Sequence, residues 1–262
     1  MRSAALRAPS ISALLVAALM LAGSAEAQAP LNFTSDYVVR IYGLTVGRAS
    51  FKATIAGDNY RVNGTLRSAG LARIFDQTDA NARASGRVQP GKVTPERFVL
   101  DFVQGGRKTT TDISFRRGNV ASTRISPEPT PGKKRVPVSR SDLRSVTDPV
   151  SAALIARGTP QEVCGRTLRV YEGATRIDVK LSLAGVGHVD GVGSNAVTCR
   201  ADFRPVSGFE QGNSTFNYIR DKGDMRFVYA PVGRGLYALH SLSTRTEIGR
   251  VELLSSRRTV GS

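Results

Sequence analysis

Tryptophan is absent from the sequence, and aromatic residues make up only 6% of it. Proteins that bind sugars or single-stranded nucleic acid commonly stack these ligands on aromatic rings. The shortage of aromatic side chains therefore weighs against a lectin and against a nucleic-acid-binding module.

Histidine is nearly absent as well, because His188 and His240 are the only two in the chain. His188 and Asp190 together offer a general base and a carboxylate that could orient it. Both lie in the glycine-rich stretch 185–193, which has neither the Gly-x-Ser-x-Gly elbow of a hydrolase nor a dinucleotide-binding fingerprint. We interpret this stretch as a hairpin connection, and His240, which apolar residues flank, as a packed or half-exposed strand position.

Acidic residues are also in the minority, with 21 Asp and Glu against 37 Lys and Arg. Two close pairs, Asp76 with Asp79 and Asp221 with Asp224, have the spacing of an acid/base pair or of part of a calcium loop. Neither pair has enough oxygen ligands around it for calcium, and the second lies in a turn-like composition. We therefore predict no catalytic, cofactor-binding or metal-binding residue. A glycan-acting enzyme stays open as a third hypothesis, because glycosidases pair their carboxylates in space.

Long apolar runs are missing except near the start of the chain. The run at 11–21 is shorter than the roughly 20 residues that a transmembrane helix needs. Arg2 and Arg7 precede it, and Ala25-Glu26-Ala27 offers small residues for cleavage, which is the pattern of a secretory signal peptide. We predict a signal peptide at 1–27, cleaved near Ala27, and a soluble periplasmic protein with no transmembrane span. A retained anchor is the alternative.

Cysteine is scarce, and both residues, Cys164 and Cys199, fall in the predicted exported part. In an oxidising compartment an even number of cysteines favours a disulfide. The alternative is a pair of buried free thiols, whereas a zinc site would need further ligands. We predict a Cys164–Cys199 bridge.

The net charge of the chain is +16, and it falls only to about +15 without the predicted signal peptide. A field of this sign attracts polyanions. For an exported protein these are lipid headgroups, lipopolysaccharide phosphates or acidic glycans rather than nucleic acid. The alternative is a solvated basic surface without a partner.

Period-two alternation dominates the sequence from residue 33 onward, with turn residues about every ten positions. This pattern is typical of antiparallel strands with one buried face. It predicts a single antiparallel β domain at 28–262, which the family resemblance given below implies to be β-barrel-like, with a helical turn near 70–75 and a strand at 214–220 among its later elements.

One helix is predicted at 148–157. Asp148 is a suitable N-cap, Pro149 suits the first helical position, and Gly158 suits a left-handed C-cap. The residues between them are apolar all round, which indicates a buried helix. The predicted cysteine bridge then joins the first and third strands after this helix.

Two segments carry a resemblance to a known family. The first is Tyr-Val-Val-Arg-Ile-Tyr-Gly-Leu-Thr-Val-Gly at 37–47, which continues to Tyr-Arg-Val at 60–62. The second is Asp-Pro-Val-Ser-Ala-Ala-Leu at 148–154, followed near the end by Thr-Glu-Ile-Gly-Arg-Val-Glu-Leu at 246–253. The chain resembles the bacterial envelope family called domain of unknown function three-one-zero-eight, and its layout is similar to that of envelope-integrity proteins with a β-spiral and one disulfide. The resemblance implies one antiparallel sheet curled into an open barrel around a buried helix, a shape similar to that of periplasmic lipoprotein carriers.

Export, basic charge and this resemblance together favour a non-enzymatic periplasmic protein that supports cell-envelope integrity by binding a lipid, lipoprotein or glycolipid. No single ligand-binding residue is predicted. The second hypothesis is a protein–protein scaffold, in which the basic surface or an exposed edge strand docks an acidic partner. The oligomeric state is left open.

Overall fold

The computed structural model describes residues 29–70, 72–75, 77–128, 134–156 and 159–261. The predicted signal peptide, Asp76 and Gly158 lie outside the described residues. No helix within these ranges is long and apolar enough to cross a membrane.

The protein is mainly β, as the alternating pattern predicts. Its strands are β1 (Leu31–Ile41), β2 (Leu44–Ala56), β3 (Asn59–Ser68), β4 (Thr78–Gln89), β5 (Lys92–Gln104), β6 (Arg107–Arg116), β7 (Asn119–Ser126), β8 (Leu154–Ala156), β9 (Arg166–Tyr171), β10 (Arg176–Val189), β11 (Gly193–Ser207), β12 (Met225–Gly233), β13 (Leu236–Thr246) and β14 (Gly249–Gly261). The helices are α1 (Ala72–Phe75), α2 (Pro160–Cys164) and α3 (Ser214–Lys222).

One antiparallel sheet contains all the strands. Its order is β7-β6-β5-β4-β3-β2-β1-β14-β13-β12-β11-β10-β9, and β8 pairs with β13 off this path. The first strand therefore lies in the middle of the sheet beside the last one, from Ile41 opposite Val251 to Asn32 opposite Gly261. The order ends at β7 on one side and at β9 on the other, so the sheet is not closed.

The segment 143–147 hydrogen-bonds towards both edges of the sheet. On one side the Val120 N–H of β7 donates to the Leu143 carbonyl at 3.0 Å, and the Val146 N–H donates to Gly118 at 2.9 Å. On the other side Thr147 exchanges backbone hydrogen bonds with β9, of which the Tyr171 N–H donates to Thr147 at 2.9 Å. The two edges are thus held to one common segment, which satisfies backbone groups that a free edge would expose.

The core consists of two apolar clusters. The first lies beneath β1 to β6 and includes Phe33, Tyr60 and Phe98, and the second lies beneath β10 to β12 around the cysteine bridge. Strand β8 is buried on both faces, since Leu154 and Ala156 belong to the first cluster and Ile155 to the second. This short strand therefore joins the two halves of the core.

The helix predicted at 148–157 is wrong. Asp148 does cap a turn, because its Oδ1 accepts hydrogen bonds from the Val150 and Ser151 N–H groups at 3.0 and 2.8 Å. The turn is a single 3-10 turn at Ser151–Ala153, and the chain then enters β8. An apolar run that is buried on all sides suits an interior strand as well as an interior helix, so periodicity could not separate the two.

The strand predicted at 214–220 is also wrong, because this segment is helix α3. The helix is capped by Asn213, whose side chain accepts from the Phe216 N–H at 2.8 Å. Phe216 packs edge-on against Phe203 of β11 with ring centroids 5.4 Å apart. The predicted helical turn near 70–75 is confirmed as α1.

The predicted disulfide is confirmed, with Cys164 and Cys199 joined across 35 residues and both fully buried. Cys199 lies on β11 as expected, whereas Cys164 lies at the end of α2 rather than on a strand. The bridge consequently fixes α2 and the start of β9 against the sheet.

Candidate functional site

The turns that connect successive strands lie at two opposite ends of the sheet. In an antiparallel meander alternate turns lie at opposite ends. The turns β2–β3, β4–β5, β6–β7 and β12–β13 share one end, which we call the cleft end. The pairing of Ile41 with Val251 places the β1–β2 and β13–β14 turns side by side at the opposite end.

Two turns at the cleft end carry arginine where asparagine or glycine is usual. Arg117-Gly118 and Arg234-Gly235 both have two central residues with positive φ, with Arg117 at 53° and Arg234 at 54°. This is the backbone of a type I′ hairpin, whose first position favours Asn, Asp or Gly. Each turn therefore places an arginine at the cleft end of the sheet.

A cleft of about 520 Å³ lies at this end, between the β4–β5 and β6–β7 turns, residues 145–147 and β9. We call it the basic cleft. Its cationic side chains are those of Lys92, Arg117, Arg166 and Arg169, and no described residue that lines it is acidic. Apolar groups complete the wall, among them Val93, Pro95, Val146 and Leu168.

The cations of the basic cleft differ in their neighbours. Arg166 is tied to the end of α2, because its Nε and Nη2 donate to the Glu162 carbonyl at 3.1 and 2.6 Å. Throughout the described ranges, no carboxylate pairs with the side chain of Lys92, Arg117 or Arg169. Three positive charges beside apolar walls suit an anionic group on an amphiphile, since guanidinium binds phosphate and carboxylate by paired hydrogen bonds.

A second cavity of about 460 Å³ adjoins the basic cleft across the β4–β5 turn, because Pro90 and Gly91 line both. Ile55, Leu236 and Ala156 form its apolar wall, and Arg234 and Asp58 also line it. Arg234 also donates a hydrogen bond to the Ala29 carbonyl. The cleft end thus offers two adjacent depressions of similar construction.

The inner face of the sheet between the two ends is filled by protein. Val146, Leu154 and Ala156 are buried in the first core cluster, and the Tyr60 hydroxyl of β3 lies 2.6 Å from the Ser151 Oγ. This part of the inner face is therefore not an open concave surface, because residues 146–156 occupy it.

Asp148 is the most deeply buried acidic group in the described chain, at 0% exposure. Burial raises its pKa to about 6. The Oδ2 atom has no hydrogen-bond partner among the described residues. This carboxyl does not line either cavity, so we assign it a structural role in shaping residues 148–156.

The predicted pair His188 and Asp190 lies in the β10–β11 hairpin, as the glycine-rich pattern indicates. The His188 Nε2 is 3.6 Å from the Asp190 Oδ1, and the two side chains are 71% and 106% exposed. Both side chains are therefore open to solvent and line neither of the two cavities, so the pair lacks the enclosed surroundings of a catalytic general base. His240 is buried on β13, and burial lowers its pKa.

The other predicted carboxylates serve as ion-pair partners on the surface. Asp79 lies 3.3 Å from Arg73, and Asp221 pairs with its neighbour Arg220 at 2.7 Å. Asp224 lies 3.7 Å from Arg226. The described ranges contain no cluster of three or more His, Cys, Asp or Glu side chains able to hold a metal ion.

The residues of the basic cleft were missed by sequence reasoning, which predicted a polyanionic partner from the net charge but named no binding residue. One signal was present, since Arg-Gly between two alternating strands is an unusual choice for a two-residue turn. Lys92 and Arg169 carried no such signal, because their meeting depends on the approach of β5 and β9 in space.

Comparison with known proteins gives a family but no relative of described function. No curated protein matches the chain. Among solved structures, it is similar to the beta-barrel-like protein of domain of unknown function DUF1849 from Brucella abortus, with 12% identity, a TM-score of 0.47 and coverage of 89% of this chain and 98% of that one. The family described as "Protein of unknown function (DUF3108)" matches residues 36–254. The match spans most of the chain, which therefore belongs to the DUF3108 family.

Proposed function

We propose that this protein is a non-enzymatic, soluble periplasmic protein that supports cell-envelope integrity by binding an anionic lipid, lipoprotein or glycolipid. The observation that carries the proposal is the basic cleft, in which Lys92, Arg117 and Arg169 face a depression with apolar walls. The signal-peptide pattern of the sequence supports the compartment, and the net charge supports a polyanionic partner.

The ligand's headgroup is the part that this site would recognise. Residues 146–156 fill the inner face of the sheet, so acyl chains would not enter a deep tunnel there. The curled, open-barrel form implied by the family resemblance would leave the end of the sheet as the place of access. There, a phosphate or carboxylate would lie against the guanidinium groups, and the first part of an apolar chain against Val93, Val146 and Leu168.

The test uses monomeric lysophosphatidylglycerol as the probe and zwitterionic lysophosphatidylcholine as the comparison. The variant is Lys92→Gln/Arg117→Asn/Arg169→Gln, in which Asn keeps the turn that Arg117 occupies. Each lost charge-assisted hydrogen bond weakens binding about tenfold, so we expect at least a hundredfold loss in affinity measured by calorimetry.

The matched control is Lys52→Gln/Lys180→Gln/Arg204→Gln, which removes the same charge from exposed strand positions outside both cavities. We expect it to bind within about threefold of the native protein, because distant exposed charges are largely screened. Equal losses in both variants would show a diffuse charge effect. Equal affinity of the native protein for the two lysolipids would contradict the proposal.

A further inference from the structure

The most exposed large apolar side chains all lie at the end of the sheet opposite the basic cleft. Among the described residues these are Tyr42 at 75%, Ile74 at 75%, Leu44 at 66% and Ile248 at 62% exposure. We call this set the apolar tip. The remaining exposed large apolar residues are all below 50% and lie elsewhere, with Val186 highest at 47%.

The members of the apolar tip are neighbours because of the strand order. Strand β1 pairs with both β2 and β14, so the β1–β2 turn with Tyr42 and Leu44 adjoins the β13–β14 turn with Ile248. The contact is close, since a Cβ atom on Gly249 would lie 2.5 Å from the Tyr42 Cζ. Helix α1, which carries Ile74, packs beside the start of β2.

The conformation of Tyr42 shows that local turn preference does not explain this residue. Tyr42 has a φ of 52° and is followed by Gly43 at 77°, which is again a type I′ turn. Tyrosine is unfavourable in the left-handed region, where Asn or Gly would form the same turn more readily. The turn thus holds an aromatic ring in solvent at some cost in conformation.

Arginine side chains surround the apolar tip in an arrangement that favours an external anion. Arg48 lies directly opposite Arg67 on neighbouring strands, and Arg245 lies directly opposite Arg250. Like charges in directly opposed positions of an antiparallel pair destabilise the sheet. An anion placed between them would relieve this repulsion.

Nearby carboxylates compensate only part of this charge. Asp79 lies 3.9 Å from the Arg67 Nε, and Asp224 lies 3.5 Å from the Arg250 Nη2. The side chains of Arg48 and Arg245 pair with no carboxylate in the part of the chain that the structure describes. The exposed Glu247 accepts hydrogen bonds from Ser214 and Thr215 at 3.3 and 3.1 Å.

We propose that the apolar tip is a docking surface for an anionic lipid bilayer. Hairpin tips protrude from the end of a sheet, so their apolar groups reach the boundary between headgroups and acyl chains without a groove to receive them. Tyrosine suits this boundary because its ring is apolar and its hydroxyl polar. The flanking arginines bind lipid phosphates while their alkyl stems stay near the apolar region.

This proposal does not rest on the ligand of the basic cleft. Because the two features lie at opposite ends of the sheet, docking through the tip would leave the cleft facing away from the bilayer. The two sites are therefore separable by mutation.

The first experiment measures sedimentation of the protein with vesicles of mixed phosphatidylglycerol and phosphatidylcholine. The variant Tyr42→Asn/Leu44→Thr/Ile248→Thr removes the apolar groups while keeping turn and strand preferences. We expect at least about tenfold weaker partitioning, because each side chain loses apolar contact with the bilayer. The matched control Leu183→Thr/Val186→Thr/Val260→Thr removes three exposed apolar groups elsewhere and should change partitioning less than about twofold.

A second variant, Tyr42→Trp, keeps the apolar character of the tip, so a folding defect in the triple variant would not leave the proposal untested. The chain contains no tryptophan, so Tyr42→Trp introduces a single tryptophan at the tip, whose fluorescence can be followed. Its emission should shift to the blue and be quenched by brominated lipid when anionic vesicles are added. Leu183→Trp should show neither effect.

Four results would overturn the proposal. The tip and control triples could weaken vesicle binding equally, or Tyr42→Trp could report no change with vesicles that sediment the protein. Alternatively, the tip variant could abolish a dimer in solution while the native protein fails to bind vesicles, which would assign the surface to a second copy. Loss of vesicle binding only in Lys92→Gln/Arg117→Asn/Arg169→Gln would assign adhesion to the basic cleft instead.

Discussion

The Tyr60 hydroxyl lies 2.6 Å from the Ser151 Oγ, which joins strand β3 to a turn 91 residues later in the chain. Both residues are buried. Burial is also the main reason that the pKa of Tyr60 is raised well above its ordinary value, with the nearby Asp148 charge acting in the same direction. The contact is one of the polar links between the sheet and the segment that fills its inner face.

Removing this hydroxyl should destabilise the protein without changing its packing. We expect Tyr60→Phe to lower the free energy of unfolding by about 1 to 2 kcal/mol, since Ser151 loses a buried partner. Urea denaturation measures the change. The control Tyr42→Phe makes the same chemical change at a 75% exposed position and should alter stability by less than about 0.5 kcal/mol. Equal effects at the two sites would contradict the structural role of the Tyr60 hydroxyl.

The buried Asp148 should give stability a specific dependence on pH. Burial raises its pKa from 3.8 to about 6. Between these values the folded state holds a proton that the unfolded state has released, so the free energy of unfolding falls as pH rises. The full effect is about 3 kcal/mol, because each pKa unit corresponds to 1.36 kcal/mol.

Asp148→Asn removes this titration while keeping an oxygen acceptor for the Val150 and Ser151 N–H groups. The stability of the variant relative to the native protein should rise from about pH 4 to about pH 6 and then level off. Other acidic groups titrate in both proteins and cancel in the difference. A difference that stays flat across this range would show that Asp148 is not buried in its neutral form.

The Cys164–Cys199 bridge should be a major source of stability. Closing a loop of 35 residues is worth about 3 to 4 kcal/mol in the chain-entropy model. Cys164→Ser should therefore lower the midpoint of thermal unfolding, and Cys199 should react with an alkylating agent once the chain unfolds. The native protein with and without reductant provides the comparison. Identical melting in both conditions would argue against a stabilising bridge.

Gly208 and Gly212 have similar positive φ angles but different surroundings, so substituting each by alanine distinguishes the cost of steric crowding from the cost of the left-handed backbone. Gly208 and Gly212 have φ values of 81° and 77°, but a Cβ atom on Gly208 would lie 1.8 Å from the Ala174 carbonyl oxygen, whereas one on Gly212 has nothing within 4 Å. Gly212→Ala should cost about 1 to 2 kcal/mol from the left-handed conformation alone.

Gly208→Ala should cost at least about 2 kcal/mol more than Gly212→Ala, because the backbone of the β9–β10 connection must move. Urea denaturation of the two variants gives the difference directly. If the two substitutions cost the same, the close approach of Gly208 and Ala174 would not be a feature of the folded protein.

Much of the fold could be predicted because one physical signal repeats along the chain. A strand with one buried face has every second residue turned towards the core, and β1 shows this with Phe33, Ser35 and Tyr37 all buried. Alternation does not identify the element where every residue is buried, as in β8, or where a short segment has no fully buried residue, as in α3. In both cases neighbours distant in sequence decide the local structure.

The sequence by itself determined the antiparallel β character, the family, the cysteine pairing and the large positive charge. These follow from local periodicity, composition and the count of two cysteines. Only the tertiary structure decided that residues 148–156 form a turn and an interior strand, that Lys92, Arg117 and Arg169 line one cleft, and that exposed apolar turns gather at the opposite end. These features depend on which strands lie side by side, and pairing in space is a property that spacing along the chain does not encode.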